Sequence, residues 1–209
     1  MSIPLLQGGV DLVGCDLSSQ MLARFHGKYP SARIAQADAS MLPFPTAHFN
    51  AVLTVHVMHL IPVWRETLRE FKRVLTPGGV YLNVRTWASV GVSAADQMRD
   101  FWRGWLAKNG VDAGHPGLRS NADLLEELDK LGADVSEVEV VRYSDSFILN
   151  EELERFESRS YSETWDIPDA IYDASMKELR AWVQNEFGDL AQEITNDVRI
   201  VIHVARFRT

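Results

Sequence analysis

Between Val10 and about Trp87, short apolar runs alternate with stripes at helical spacing. Val10-Asp11-Leu12-Val13-Gly14-Cys15 predicts a buried strand, closed by Asp16. A helix opens at Leu17–Gln20 with Ser18 as N-cap, its face marked by Met21, Leu22 and Phe25, and Tyr29-Pro30-Ser31 ends it. Ala32–Ala37 predicts a second strand, stopping at Asp38. Met41–Pro45 is a loop, because its two prolines exclude regular structure. Phe49–Val55 predicts a third strand, apolar enough to expect cover on both faces. Trp64–Leu75 carries a stripe of Trp64, Leu68, Phe71, Val74 and Leu75; Thr76–Gly79 stops that helix, and Val80–Val84 is the fourth strand. Alternation of this kind predicts crossover units on a parallel sheet.

Past Trp87 the pattern becomes mainly helical. Helices are expected over Ala94–Lys108, Leu124–Leu131, Asn150 to about Ser162, and Pro168–Phe187. Val135–Tyr143 alternates as a strand with one wet face, and Val198–Val204 is a final strand. The expectation is one domain over 1–209: a ligand-binding part (1–87), a helical cap with late sheet elements (88–195) and a closing strand (196–209).

Composition narrows the function classes. Of 209 residues, 46% are hydrophobic and 24% charged, which excludes wholesale disorder. Lys and Arg number 21 against 29 Asp and Glu, a net charge of −8, so no nucleic-acid partner is expected. One cysteine, Cys15, allows no internal disulfide, and no metal site is expected from so few soft ligands. No apolar run approaches the ~20 residues that span a bilayer, and the first residues lack a signal peptide's basic region. A cytoplasmic protein with no membrane partner is expected.

Asp16 and Asp38 each end a strand expected to be parallel. In open α/β sheets ligands bind beyond the carboxyl ends of the strands, where an ionised carboxylate accepts from both hydroxyls of a ribose. A second carboxylate one strand over accepts from an exocyclic amine such as that of adenine. The pair grips an adenosine without phosphate contacts.

The words Val13-Gly14-Cys15-Asp16-Leu17-Ser18, Ala37-Asp38-Ala39 with Leu42-Pro43-Phe44-Pro45 and Phe49, and Arg73-Val74-Leu75-Thr76-Pro77-Gly78-Gly79 occur in that order. In this the chain resembles the class I S-adenosylmethionine-dependent methyltransferases, in particular the methyltransferase type 11 group, from about Val10 to Val84. The resemblance implies a Rossmann-like α/β sheet, mostly parallel with its last strand antiparallel, flanked by helices and carrying a helical insertion. It implies S-adenosylmethionine as cofactor, with Asp16 on the ribose, Leu17 on adenine, Asp38 on the adenine amine and Ala39 beside it. Met21, Met41 or Leu42, and Val55 complete the apolar surroundings. The family's first strand and glycine-rich loop are not matched. Gly8-Gly9 is a helix stop after a segment resembling the tail of the helix that follows that loop. The expected missing position is central, between Val10–Cys15 and Phe49–Val55, where a gap or a new pairing should result. An upstream extension is therefore expected. Exposed central edges should favour association of copies, a homo-oligomer.

His56 and His59, at the end of the third strand, are the candidate catalytic residues, in a position where the family faces methyl donor and acceptor. An imidazole near its ordinary pKa of ~6.5 can take a proton from the acceptor; packing in the core is the alternative for each. Phe101, Trp102, Trp105, Tyr161 and Trp165 are expected to be mostly cap core, with one or two lining the acceptor site. Glu126, Glu127, Glu137 and Glu139 are expected on solvated faces. The function implied is methyl transfer to a small-molecule acceptor. Two other readings stay open: a non-catalytic remnant acting as an interaction module, and a nicotinamide-dependent oxidoreductase.

Overall fold

The structure is a computed structural model that describes residues 2–89 and 93–208. In order, its elements are α1 (Ser2–Gln7), β1 (Val13–Asp16), α2 (Ser19–Lys28), β2 (Arg33–Gln36), β3 (Phe49–Val55), a 3-10 turn (Met58–Leu60), α3 (Trp64–Val74) and β4 (Leu75–Ser89). There follow α4 (Ala94–Lys108), α5 (Asn121–Lys130), β5 (Ala133–Ile148), α6 (Leu149–Glu157), a 3-10 turn (Ser162–Thr164), α7 (Asp169–Phe187) and β6 (Glu193–Phe207). The start of the cap expected at residue 88 falls within β4, and residues 90–92 beyond it lie outside the described residues.

The strands form two sheets. β1 and β2 pair in parallel, Asp16 opposite Gln36. The second sheet has the order β3-β4-β6-β5. In it β3 and β4 are parallel, and β6 is antiparallel to both neighbours. Thus β3, β4 and β5 run one way and the last strand, β6, runs against them. That is the mixed α/β arrangement expected. The division between sheets falls between β1 and β3, the place where the resemblance puts a further strand.

Local chemistry explains the helix starts. The Ser18 hydroxyl accepts from Met21 N at the head of α2. Ser93 and Asp96 form a reciprocal capping box on α4, and Ser120 accepts from Asp123 N to open α5. The stop at Thr76–Gly79 is built as a bulge inside β4: Phe49 pairs with Leu75, and pairing resumes only at Ala51 with Val80. Gly78 sits there at φ 78°, a left-handed conformation that favours glycine.

Two cores organise the molecule. Trp64, Leu68, Phe71, Tyr81, Leu124 and Leu128 pack α3 and α5 on the larger sheet. Met98, Trp102, Leu106, Leu153, Phe156 and Leu179 join α4, α6 and α7 into the cap. Trp102 is fully buried, Phe101 and Trp105 pack against the cap core, and Trp165 is exposed.

Four burial expectations fail. The strand expected to be buried over Val10–Cys15 is open, with Val10 and Cys15 exposed, because the short β1–β2 pair has little to pack against. β3 is not covered on both faces: Asn50, Ala51 and Leu53 are exposed, because β3 is an edge strand. On β5, also an edge, Val138 and Val140 lie in solvent, and the register shifts between Glu139 and Val141. Glu127 is buried rather than solvated, held by Arg65 and Arg69 from α3.

Candidate functional site

The residues singled out by sequence separate into two places. The first is the carboxyl rim of the two-stranded sheet. Parallel pairing of β1 with β2 sets Asp16 beside Gln36, and Asp38 follows two residues on, so both carboxylates leave neighbouring strands at one rim. The rim is cross-linked: Ala37 N donates to Asp16 O at 3.1 Å, and Gln36 Nε2 donates to Leu17 O at 3.0 Å. Asp16 Oδ1 accepts from Ser18 N at 2.8 Å. Asp38 Oδ1 accepts from Ser40 N at 2.8 Å and from Ser40 Oγ at 2.7 Å. Those bonds, the backbone one first, hold the Asp38 carboxyl below its usual range, so it is ionised at neutral pH. Oδ2 of each aspartate has no protein partner among the described residues. Both side chains are exposed, as are Leu17 and Met21, whereas Ala39 is half-buried. An ionised carboxylate with one oxygen already fixed and the other open suits a ribose diol or an exocyclic amine. The exposed Leu17 and Met21 suit the face of a base, so these residues fit the adenosine end of S-adenosylmethionine.

The second place is a cavity of about 610 Å³ at the carboxyl end of β3 and β4, closed by the cap. His56, Val57, Met58 and His59 line it where β3 ends. His56 takes φ 47°, and its N–H donates to Val84 O at 3.4 Å, a left-handed turn uncommon outside glycine. Val55, half-buried, ends β3 just before it and does not line the cavity. None of Asp16, Leu17, Met21, Asp38 or Ala39 lines it either. The expected cofactor residues and the expected catalytic histidines are therefore not gathered into one pocket.

Of the five cap aromatics singled out in the sequence, Tyr161 lines the cavity, which also holds residues that sequence reasoning missed. His115 packs edge-on against His59, ring centroids 4.3 Å apart. Gly117 N donates to His59 O at 2.9 Å, and Leu118 N to Met58 O at 3.0 Å, tying the 112–118 loop to the 3-10 turn. A Cβ on Gly117 would come within 2.4 Å of Met58 O and 2.5 Å of Ile61 O, so only glycine allows this approach. Burial lowers the His115 pKa first of all; Arg103, Arg99 and Arg119 lower it further, against the pull of Glu163. On the cap side Glu163 is buried between Arg99 (2.7 Å) and Arg103 (2.5 Å). Buried Glu152 takes Arg155 at 3.0 Å and the Tyr161 hydroxyl at 2.6 Å. Tyr161, pushed up to about 12 chiefly by burial, stays a protonated donor. The signal for these pairs was faint: arginine and glutamate on separate elements carry no periodic mark of meeting.

Comparison with known proteins adds the following. Residues 1–83 match the family model described as "Methyltransferase domain". A fatty-acid O-methyltransferase of Mycolicibacterium smegmatis is 41% identical over 71 residues, 33% of this chain and 26% of that protein. A malonyl-[acyl-carrier protein] O-methyltransferase of Enterobacter lignolyticus is 25% identical over 120 residues, 53% of this chain and 46% of that one. The chain thus spans between about a quarter and about half the length of these curated relatives. Among solved structures, a protein of Bacillus halodurans C-125 aligns with TM-score 0.58 at 19% identity, over 94% of this chain and 83% of that one. The [4+2]-cyclase SpnF aligns with TM-score 0.51 at 17% identity, over 99% of this chain and 71% of that one. At such identities the likeness is one of fold, and a cyclase shares it. No described helix is long and apolar enough to cross a membrane.

Proposed function

We propose, from the match of residues 1–83 to the model of a methyltransferase domain, that the protein transfers a methyl group from S-adenosylmethionine to a small-molecule acceptor. The observation that carries this is the shared rim: two exposed carboxylates ending neighbouring parallel strands, each with an oxygen open to a ligand. Asp16 holds the ribose hydroxyls, Asp38 and Ala39 read the adenine edge, and Leu17, Met21 and Val55 give the donor its apolar surroundings.

The cofactor supplies an electrophilic methyl on a sulfonium. Displacement there needs little covalent help from the protein, so positioning and exclusion of water supply much of the rate. The cavity beneath the cap is the acceptor site, His56 and His59 at its edge. A neutral imidazole there accepts the proton that an oxygen or nitrogen acceptor loses. The two named relatives act, by their names, on a fatty acid and a malonyl thioester, both acyl compounds. We place this chain among small-molecule enzymes with 1–209 as one functional unit.

Isothermal calorimetry tests the reading. The full chain should bind S-adenosylmethionine, and Asp16→Ala should weaken binding by roughly tenfold to a hundredfold, as expected for a hydrogen bond to a charged group worth about 1.5–3 kcal/mol. Absence of binding by the wild-type chain, or equal binding by the variant, would overturn it.

A further inference from the structure

Among the described residues, one buried hydrogen-bond donor in the cavity wall has no partner. Asn83, on β4, lines the cavity and is 3% exposed, yet its Nδ2 meets no acceptor. Its orientation is fixed from behind. Asn83 Oδ1 accepts from Thr54 Oγ1 at 3.0 Å, and Thr54 Oγ1 lies 2.8 Å from the Tyr81 hydroxyl. Burial holds the Tyr81 phenol protonated, so it donates to Thr54, which donates onward to Asn83. The relay turns Oδ1 inward and leaves Nδ2 as a committed donor. An unmatched buried polar group costs about 1–3 kcal/mol, and native structures hold few of them.

The cap wall adds the charge. Glu163 and Glu152, 4% and 5% exposed at their side chains, sit behind Arg103 and Arg155, whose side chains are 43% and 53% exposed. Arg103 spends Nε and Nη2 on Glu163, and Nη1 has no partner among the described residues. The Asp96 Oδ2 atom is taken up by Ser93 N and Oγ, and Asp145 stands at the exposed edge. Two unused donors thus belong to residues that line the cavity, an amide on β4 and a guanidinium on the cap.

We infer that the cavity binds a small molecule through its carboxylate, received by Asn83 Nδ2 and Arg103 Nη1. This names the class of the acceptor and rests on the methyl-transfer reading for its catalytic meaning. A neutral carbonyl can accept from both groups, but a carboxylate brings two acceptor oxygens and adds the attraction of opposite charges at the guanidinium, which favours the anion.

The test is a titration of the ¹⁵N-labelled full chain with acetate, butyrate and benzoate, and with their primary amides. At least one acid should shift the Asn83 side-chain NH₂ resonances saturably, and its amide should not. Asn83→Asp keeps the oxygen facing Thr54 but puts a carboxylate where the donor was. It should weaken acid binding by about tenfold or more, as should Arg103→Gln, a half-exposed position where folding is less at stake. The inference falls if no acid moves the Asn83 resonances, if acids and amides bind alike, or if both variants bind as the wild type does. Asp16→Ala should bind the acid normally while binding S-adenosylmethionine roughly tenfold to a hundredfold more weakly. Cofactor binding without acid binding therefore overturns this inference alone, and the reverse overturns the methyl-transfer reading alone.

Discussion

Helices α2 and α3 follow strands in the same way, and both are amphipathic, yet they end in opposite states. α3 buries Trp64, Thr67, Leu68, Phe71 and Val74 against β4 and the neighbouring α5. α2 buries nothing: Met21 is exposed, and Leu22 and Phe25 are only half-covered. The difference lies in what each can reach. α3 lies on a four-stranded sheet with a second helix beside it, whereas α2 has only the short β1–β2 pair. An apolar stripe specifies a helix and its inward face, but burial needs a partner surface of comparable extent. The contrast bears on function, because the open region carries Asp16 and Asp38 and the packed region carries the cavity.

The sharpest way to break this contrast is to cut the same side chain from both helices. Leu68→Ala removes a fully buried side chain and should cost about 2–5 kcal/mol in denaturant unfolding. Leu22→Ala, half-covered, should cost less than about 1 kcal/mol. Equal losses would show that α2 has a buried face after all. Gly117→Ala comes next, at about 1–3 kcal/mol, because its Cβ would meet the carbonyls of Met58, Ile61 and His59. The His59–His115 contact should loosen with it, seen as altered ring shifts in the proton spectrum. Unchanged stability and shifts would mean that the 112–118 loop is not held at the 3-10 turn. Native-state hydrogen exchange refines the picture: amides of β1 and β2 should exchange through small openings, and those of β4 and β6 only near global unfolding.

Much of this was legible in the chain. The strand–helix alternation, the serine cap on α2 and the aspartates at two strand ends all follow from local chemistry, and all are present. Burial was less legible. β3 reads as a strand with two covered faces because Val52, Leu53 and Val55 are apolar, but covering needs neighbours, and residues 49–55 do not say whether any exist. The acceptor cavity was hardest. His56 and His59 lie within one short stretch of sequence and were found; His115, Asn83 and the Arg103–Glu163 pair meet only through the fold. Gly117 was the one local trace, a glycine whose purpose shows only when three carbonyls are seen around it.

The smallest expected effect is a slope in stability with pH, and it belongs to the packed side. His115 is half-buried against His59 and faces Glu163, Arg99, Arg103 and Arg119. Burial, with the three arginines, lowers its folded pKa below the unfolded value of ~6.5. Above that value the imidazole is neutral in both states and adds no pH dependence. As pH falls below it the unfolded chain takes up a proton that the folded chain resists, so stability declines on the acid side. His115→Gln should remove that part of the decline, making the fall in melting temperature from pH 7.5 to 5.5 shallower than in the wild type. Asp38, its carboxyl held below the usual range by Ser40, stays ionised across this window and should leave it unchanged, which keeps the open rim and the packed cavity separable. The same fall in variant and wild type would mean that His115 is as free to take a proton in the fold as outside it.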